Sequence, residues 1–209
     1  MSSEAFEGRN QQYFQEDIRG ELGRGGVSPE IASFISTTLS STFLDVRNQL
    51  GITVPIVAKP SDIITHAGII SSLDPQSVTY AVFAPSLDQE GKLVRGDLVL
   101  MRPALVAYGR VLDHHRNGKV TPWELIASVA HELRHSFQWQ TNPREQEIDG
   151  HLPYHARASE YDAIHFSYDY LRHQKVQGTV DYIERHFVLQ GLRNDMKDIR
   201  KEKTKLGLK

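Results

Sequence analysis

Cysteine is absent from the chain. Without a thiol there is no disulfide framework, no thiolate metal ligand and no cysteine-based latency switch, so any metal site must be built from imidazole and carboxylate. Also missing is an apolar run of the length that spans a bilayer. The N-terminal stretch "MSSEAFEGRNQQYFQED" is polar and acidic, without the apolar core of a secretory signal. These absences predict a cytoplasmic protein with no membrane span. A surplus of one charge is lacking too: 24 Lys and Arg against 26 Asp and Glu leave a net charge of −2. That is too little for a whole-molecule field that would gather nucleic acid. The last eleven residues, "IRKEKTKLGLK", are basic and read as a solvated helix end. Repeats and low-complexity tracts are likewise absent.

What is present is a chain of 209 residues with 39% hydrophobic content, enough to bury a sizeable core in one domain or a two-lobed one. Residues 1–28 are polar and end in "GRGGVSP", which predicts a mobile N-terminal arm. The folded domain is expected over 29–209. Ser28-Pro29-Glu30 opens a helix to about residue 49, with Ile31, Phe34, Ile35, Leu39, Phe43 and Val46 on one face. Three β-branched, apolar runs bounded by Pro and Gly read as strands: "ITVPIVAKP" (52–60), "SVTYAVFAP" (77–85) and "RGDLVLMRP" (95–103). "ALVAYGRVLDHH" follows as a helix, and His114-His115 marks its end.

The stretch with chemical content is "VAHELRHSFQW", residues 129–139. Composition alone predicts about 0.03 occurrences of His-Glu-x-x-His in a chain like this one, so the pattern is not readily an accident. On a helix, residues four apart are offset by about 40° and one turn of rise, so His131 and His135 can address one ion. Glu132 lies about 100° round, beside such an ion rather than on it. The sequence also predicts the helix. Thr121-Pro122-Trp123-Glu124 reads as a capping box, with Thr121 as N-cap and Pro122 at the first helical position. Leu125, Ile126, Val129, Ala130, Leu133 and Phe137 then recur at helical spacing.

Catalytic zinc takes three protein ligands and keeps a fourth position open. The spacing that would place a Gly at 138 and a third His at 141 is not met, since the chain has Gln138 and Thr141. Candidates further on are Glu145, Glu147, Asp149, His151, His155, Glu160 and Asp162. Most of the early ones sit in "TNPREQEIDGHLPYH", which reads as a loop. In "ARASEYDAIHFSYDYL" (156–171), Ala158, Tyr161, Ile164, Tyr168 and Leu171 repeat at helical spacing. A carboxylate on such a helix is a rigid donor.

His131-Glu132-x-x-His135 followed by Ala156-Arg157-x-x-Glu160-Tyr161-Asp162-Ala163 resembles the gluzincin arrangement, in which a glutamate from a following helix completes a zinc site. The second segment is similar to the Ser-Arg-x-x-Glu-x-x-Ala-Asp motif of the prenyl-protein endopeptidase families. Those are membrane proteins, so only the motif carries over. The match covers about 45 of 209 residues and departs where Ile164 stands in place of an acid four after the ligand. The resemblance implies Glu160 as third ligand. Asp162 is the rival and the alternative source of the carboxylate that orients a ligating histidine.

These readings predict an α+β, zincin-like fold: a small N-terminal sheet with helices, a metal-binding active-site helix and a helical C-terminal lobe. The upper lobe covers about 29–140 and the lower about 141–209, including a helix in "VDYIERHFVLQGLRNDMKDI". The expected function is zinc-dependent peptide-bond hydrolysis. Zn²⁺ lowers the pKa of a bound water, Glu132 takes its proton and passes it to the leaving amine, and a peptide or protein is the substrate. Tyr154, His155, Tyr161 and His165 are candidates for stabilising the oxyanion, and the strand "DLVLMRP" could pair with extended substrate. Two alternatives stand beside it: from another class, a non-catalytic zincin scaffold with a regulatory or interaction role, and within the same class, a single-target protease of a phage or mobile element. His66, His173 and His186 are isolated, and Trp139 reads as a packing anchor.

Overall fold

The computed structural model describes residues 3–62, 79–114, 121–152 and 156–175, with side chains from residue 12 onward. Among them are six helices and one three-stranded sheet, a mixed α+β arrangement. No helix among the described residues is long and apolar enough to cross a membrane.

From Phe14 onward the N-terminal segment packs into the fold, in place of the expected mobile arm. Ser3–Arg24 form helix α1, and Phe14, Ile18, Leu22 and, just beyond, Val27 are buried in the core. Phe14, Ile18 and Leu22 are one residue per turn, a stripe narrower than the apolar face of most packed helices. It is buried because α2 (Pro29–Leu50), strand β1 (Ile56–Ser61) and a later helix, α3 (Arg102–His114), close over it from three sides. The segment after α1 is tied down as well. Arg110 Nε donates to the Gly25 carbonyl at 2.7 Å, and the Ser28 N–H and hydroxyl both donate to Asp113 at 3.1 and 2.6 Å. Those bonds satisfy the start of α2 from a residue 85 positions away.

Helix α2 runs nearly as expected, with Ile35, Leu39, Phe43 and Val46 inside, although Phe34 is exposed. It ends at Gly51, whose φ of +64° is the left-handed conformation a side chain resists. The Ile52 N–H reaches back to the Arg47 carbonyl and the Gly51 N–H to that of Asn48, a Schellman closure.

The sheet has the order β1-β3-β2, where β2 is Ala81–Leu87 and β3 is Leu93–Met101. β1 runs parallel to β3 and β2 antiparallel to it. Strand β3 is therefore internal, and the expectation that "DLVLMRP" offers a free edge to substrate is overturned: both its edges are already paired. Gly96 in β3 lies opposite Pro85 and beneath the Phe83 ring, where a Cβ would collide with the ring carbons. The β2–β3 turn is held by Asp88, which accepts the N–H groups of Glu90 and Lys92, each at 2.9 Å.

Helix α4 (Trp123–Thr141) carries the His-Glu-x-x-His stretch and buries Leu125, Ile126, Ala127, Val129, Ala130 and Leu133 against α2 and the sheet. Its start differs from the expected capping box. Pro122 holds the cap position, its carbonyl receiving the Ile126 N–H at 3.0 Å, and no side chain caps the helix. Glu124 turns instead toward Tyr80, whose hydroxyl donates to it at 3.5 Å. The segment read as a loop contains a short helix, α5 (Pro143–Gly150), opened by Asn142 and Pro143. Helix α6 (Ala158–His173) then packs along α4. The helix expected over 180–199, the basic terminus, and His66, His115, Tyr154, His155 and His186 lie outside the described residues.

Candidate metal centre

Helix α4 presents His131 and His135 on one face because they are one turn apart, and α6 faces them with Glu160 in its first turn. The N-terminus of α6 has no cap from its own first residues. Instead Asp149, buried at the end of α5, accepts the Ser159 N–H at 2.7 Å. An acceptor and negative charge at that position satisfy one of the helix's orphan donors and suit its dipole. Arg157 adds a second tie, donating from Nε to the Leu152 carbonyl at 2.9 Å. Asp149, a sequence candidate for ligation, thus positions the helix that carries Glu160.

The geometry is compact. His131 Nε2 and His135 Nε2 are 3.0 Å apart, and Glu160 Oε2 is 3.1 Å from the first and 3.2 Å from the second. Among the described residues these three form the one group with donor atoms close enough to share an ion. The side chains are 12–13% exposed, so the cluster is largely shielded from water. Two imidazoles and a carboxylate are the donor types that zinc takes in catalytic sites, and bonds of about 2.0–2.1 Å in a tetrahedral site require donor atoms about 3.3 Å apart. The observed triangle fits such an ion.

The three groups also act on one another electrostatically. Burial opposes charge on His135, but the Glu160 carboxylate beside it prevails and raises its pKa to about 9. Glu160, despite its own burial, is held well below the usual carboxylate range by His135 and by hydrogen bonds from both rings. Glu132 does not join the triangle. Its Oε2 accepts the backbone N–H of Phe83 in β2 at 2.7 Å, and burial pushes its carboxyl up against the opposing pull of His131 and His135.

Asp162, the rival ligand, stands outside the cluster. It accepts from Arg134 Nε at 2.7 Å and Nη2 at 3.1 Å, and from Gln138 Nε2 at 2.7 Å. Burial is outweighed there by Arg134 and then Gln138, which lower its pKa. Arg134 lies over the rings of Phe137 and Phe166, at 4.9 and 5.4 Å from their centres. Ile164, where the similar motif has an acid, is fully buried in the core, so a carboxylate there would have no water and no partner. Tyr161 and His165 pack on each other with ring centres 4.3 Å apart, on α6 but not in the triangle. His151 is exposed at the end of α5, and His114 and His173 are the exposed last residues of α3 and α6. Trp139 is partly buried against the core.

One residue of this site was not read from the sequence. Gln138 is buried, and its Oε1 lies 2.8 Å from His135 Nδ1. Its position three after the second histidine puts it on the same helix face, which was the available signal. Compared with known protein families, with curated proteins and with solved structures, the chain matches none.

Proposed function

We propose that the protein is a zinc-dependent metallopeptidase with a gluzincin-type ligand set, His131, His135 and Glu160, on a zincin-like fold whose cleft lies between the part up to about residue 140 and the helices beyond. The observation that carries this reading is the approach of Glu160 Oε2 to both imidazole nitrogens at 3.1 and 3.2 Å. Zinc, when bound there, would acidify a water and polarise a carbonyl. The chain's own part in the reaction falls to Glu132. Its Oε2 is engaged by the Phe83 N–H, and Oε1 is the oxygen that takes the proton from water and returns it to the leaving amine. Burial raises the Glu132 carboxyl toward the range where accepting and donating a proton are both easy.

Strand β2 replaces β3 as the surface that would hold an extended peptide. Among the described residues it is a sheet edge, and because the Tyr80 carbonyl bonds β3 through Met101, the backbone groups of Phe83 and Pro85 face away from β3. Pro85 has no N–H, so the edge there presents carbonyl acceptors for a substrate's amide groups.

One observation favours a second reading, a metal-binding scaffold without turnover. The Glu132–Phe83 bond ties the metal helix to the sheet and would serve structure alone. The experiment that separates them compares wild type and Glu132→Gln for zinc content and for cleavage of an unstructured substrate, with and without chelator. The peptidase reading expects full zinc in both proteins and chelator-sensitive cleavage that falls about 10²–10⁴-fold in the variant. Absence of cleavage in zinc-loaded wild type on generic peptides and on its own cellular proteins leaves the scaffold.

A further inference from the structure

The contacts of Gln138 determine which way its amide faces, and this in turn determines the state of His135. The amide nitrogen lies 2.9 Å from the Ser159 carbonyl and 2.7 Å from Asp162 Oδ2. Neither of those oxygens can donate: one is a backbone carbonyl, and the other belongs to a carboxylate gripped by Arg134. Both hydrogens of the amide are thereby spent. Rotating the group by half a turn would aim the oxygen of this buried side chain at two acceptors, losing two hydrogen bonds and leaving three oxygens facing one another. The amide oxygen therefore faces His135 Nδ1 at 2.8 Å. An amide oxygen only accepts, so Nδ1 must carry a proton. In the neutral ring the lone pair is then at Nε2, the atom that points at His131 and Glu160.

We infer that Gln138, held by Asp162 and Ser159, is a positioning residue that fixes His135 in the Nδ1–H tautomer and so presents Nε2 as a ready metal ligand. This rests on the metal-site reading above and deepens it. A ligating histidine more commonly donates its other N–H to a carboxylate, a backbone carbonyl or water. Here Ile164 occupies the core where an acid stands in the similar motif, and the Asp162 carboxylate reaches the ring only through the Gln138 amide. The chain runs from Arg134 to Asp162 to Gln138 to His135. A neutral amide touches the ring, and the carboxylate charge behind it is already balanced by Arg134. Glu160 therefore remains the only carboxylate in the donor triangle, while the ring orientation is still enforced from both helices.

The test uses the full chain loaded with zinc. Zinc affinity is measured by competition with a chromophoric chelator, and the ring N–H groups are followed by ¹⁵N–¹H NMR with His135 assigned through its ring carbons. Wild type is expected to show a slowly exchanging His135 Nδ1–H. Gln138→Met keeps the length and volume of the side chain but removes the acceptor. It should weaken zinc binding about 10–100-fold, the usual effect of losing a partner of a metal-bound histidine, and should lose the protected N–H signal. Asp162→Ala leaves the amide oxygen in place but loosens its hold, and is expected to give a smaller drop with faster N–H exchange. The unfolding midpoint of the zinc-free proteins reports packing separately. Zinc affinity within twofold of wild type and a still-protected Nδ1–H in the variants would overturn the inference and reduce Gln138 to packing. If Gln138→Met does not fold, Asp162→Ala decides by the same two readouts. Failure of wild type itself to bind zinc would overturn the metal-site reading instead, an outcome distinct from wild-type binding that the substitutions leave intact.

Discussion

Ile18 tests whether the first helix belongs to the core. Its side chain is fully buried, with Phe14 and Leu22 one turn to either side, equally enclosed. Ile18→Ala removes three carbons, each worth about 0.8 kcal/mol of transfer free energy when buried. The cavity term adds to this wherever the surroundings cannot collapse. Here α1 is packed by α2, β1 and α3 together, so collapse is hindered. The expected cost is about 3–4 kcal/mol, within the range of about 2–5 typical of such truncations. For a chain of this size that corresponds to a fall in melting temperature of about 6–16 °C. The neighbouring Tyr13 is 60% exposed, and Tyr13→Ala is the control, expected within about 0.5 kcal/mol of wild type. Urea unfolding of the three proteins, compared by midpoint at constant slope, gives the difference. A loss below about 0.5 kcal/mol in Ile18→Ala, or equal losses in the two variants, would refute the packing argument and restore the N-terminal segment to a loosely held arm.

Three further outcomes are expected. Glu160→Ala should cost more zinc affinity than Asp162→Ala, because one removes a donor atom and the other a residue that acts through Gln138; chelator competition decides, and the reverse order would exchange their roles. Gly96→Ala should destabilise the sheet by about 1–3 kcal/mol, the range for overpacking, since the added carbon collides with the Phe83 ring, and thermal unfolding reports it. At alkaline pH, Tyr108 and Tyr170 resist ionisation. Burial raises both pKa values, aided by Glu124 at Tyr108 and by the hydrogen bond to Asp45 at Tyr170. A phenol whose folded pKa exceeds its unfolded value of about 10 contributes stability that is whole below that pH and is lost as pH rises above it. Urea midpoints should therefore fall between about pH 10 and 12 in wild type, and less steeply in Tyr108→Phe; equal slopes would contradict the argument.

The parts of this protein legible in its sequence are those governed by local periodicity. His131, Glu132 and His135 are placed on adjacent faces by helix geometry alone, and the spacing of Leu125, Ile126, Val129, Ala130 and Leu133 gives the side of that helix that turns inward. The start of α2 at Ser28-Pro29 and the three strand segments follow from turn chemistry and β-branched runs. Helix α5 escaped because its eight residues, Pro143–Gly150, bury only Gln146 and Asp149, which leaves no apolar period to read. The N-terminal helix escaped for a related reason. Phe14, Ile18 and Leu22 are too narrow a stripe to announce burial, and the three surfaces that enclose them arrive from α2, β1 and α3, up to about 90 residues further along. Strand order is equally nonlocal, so the internal place of β3, and the place of β2 beside Glu132 at the edge of the described sheet, depended on pairing. At the candidate site, the motif resemblance favoured Glu160 over Asp162, but spacing could not separate them, since both occupy the first turns of one helix. The packing of α6 along α4 separates them: a rotation of about 200° between residues two apart sends Glu160 to the imidazoles and Asp162 to Arg134 and Gln138.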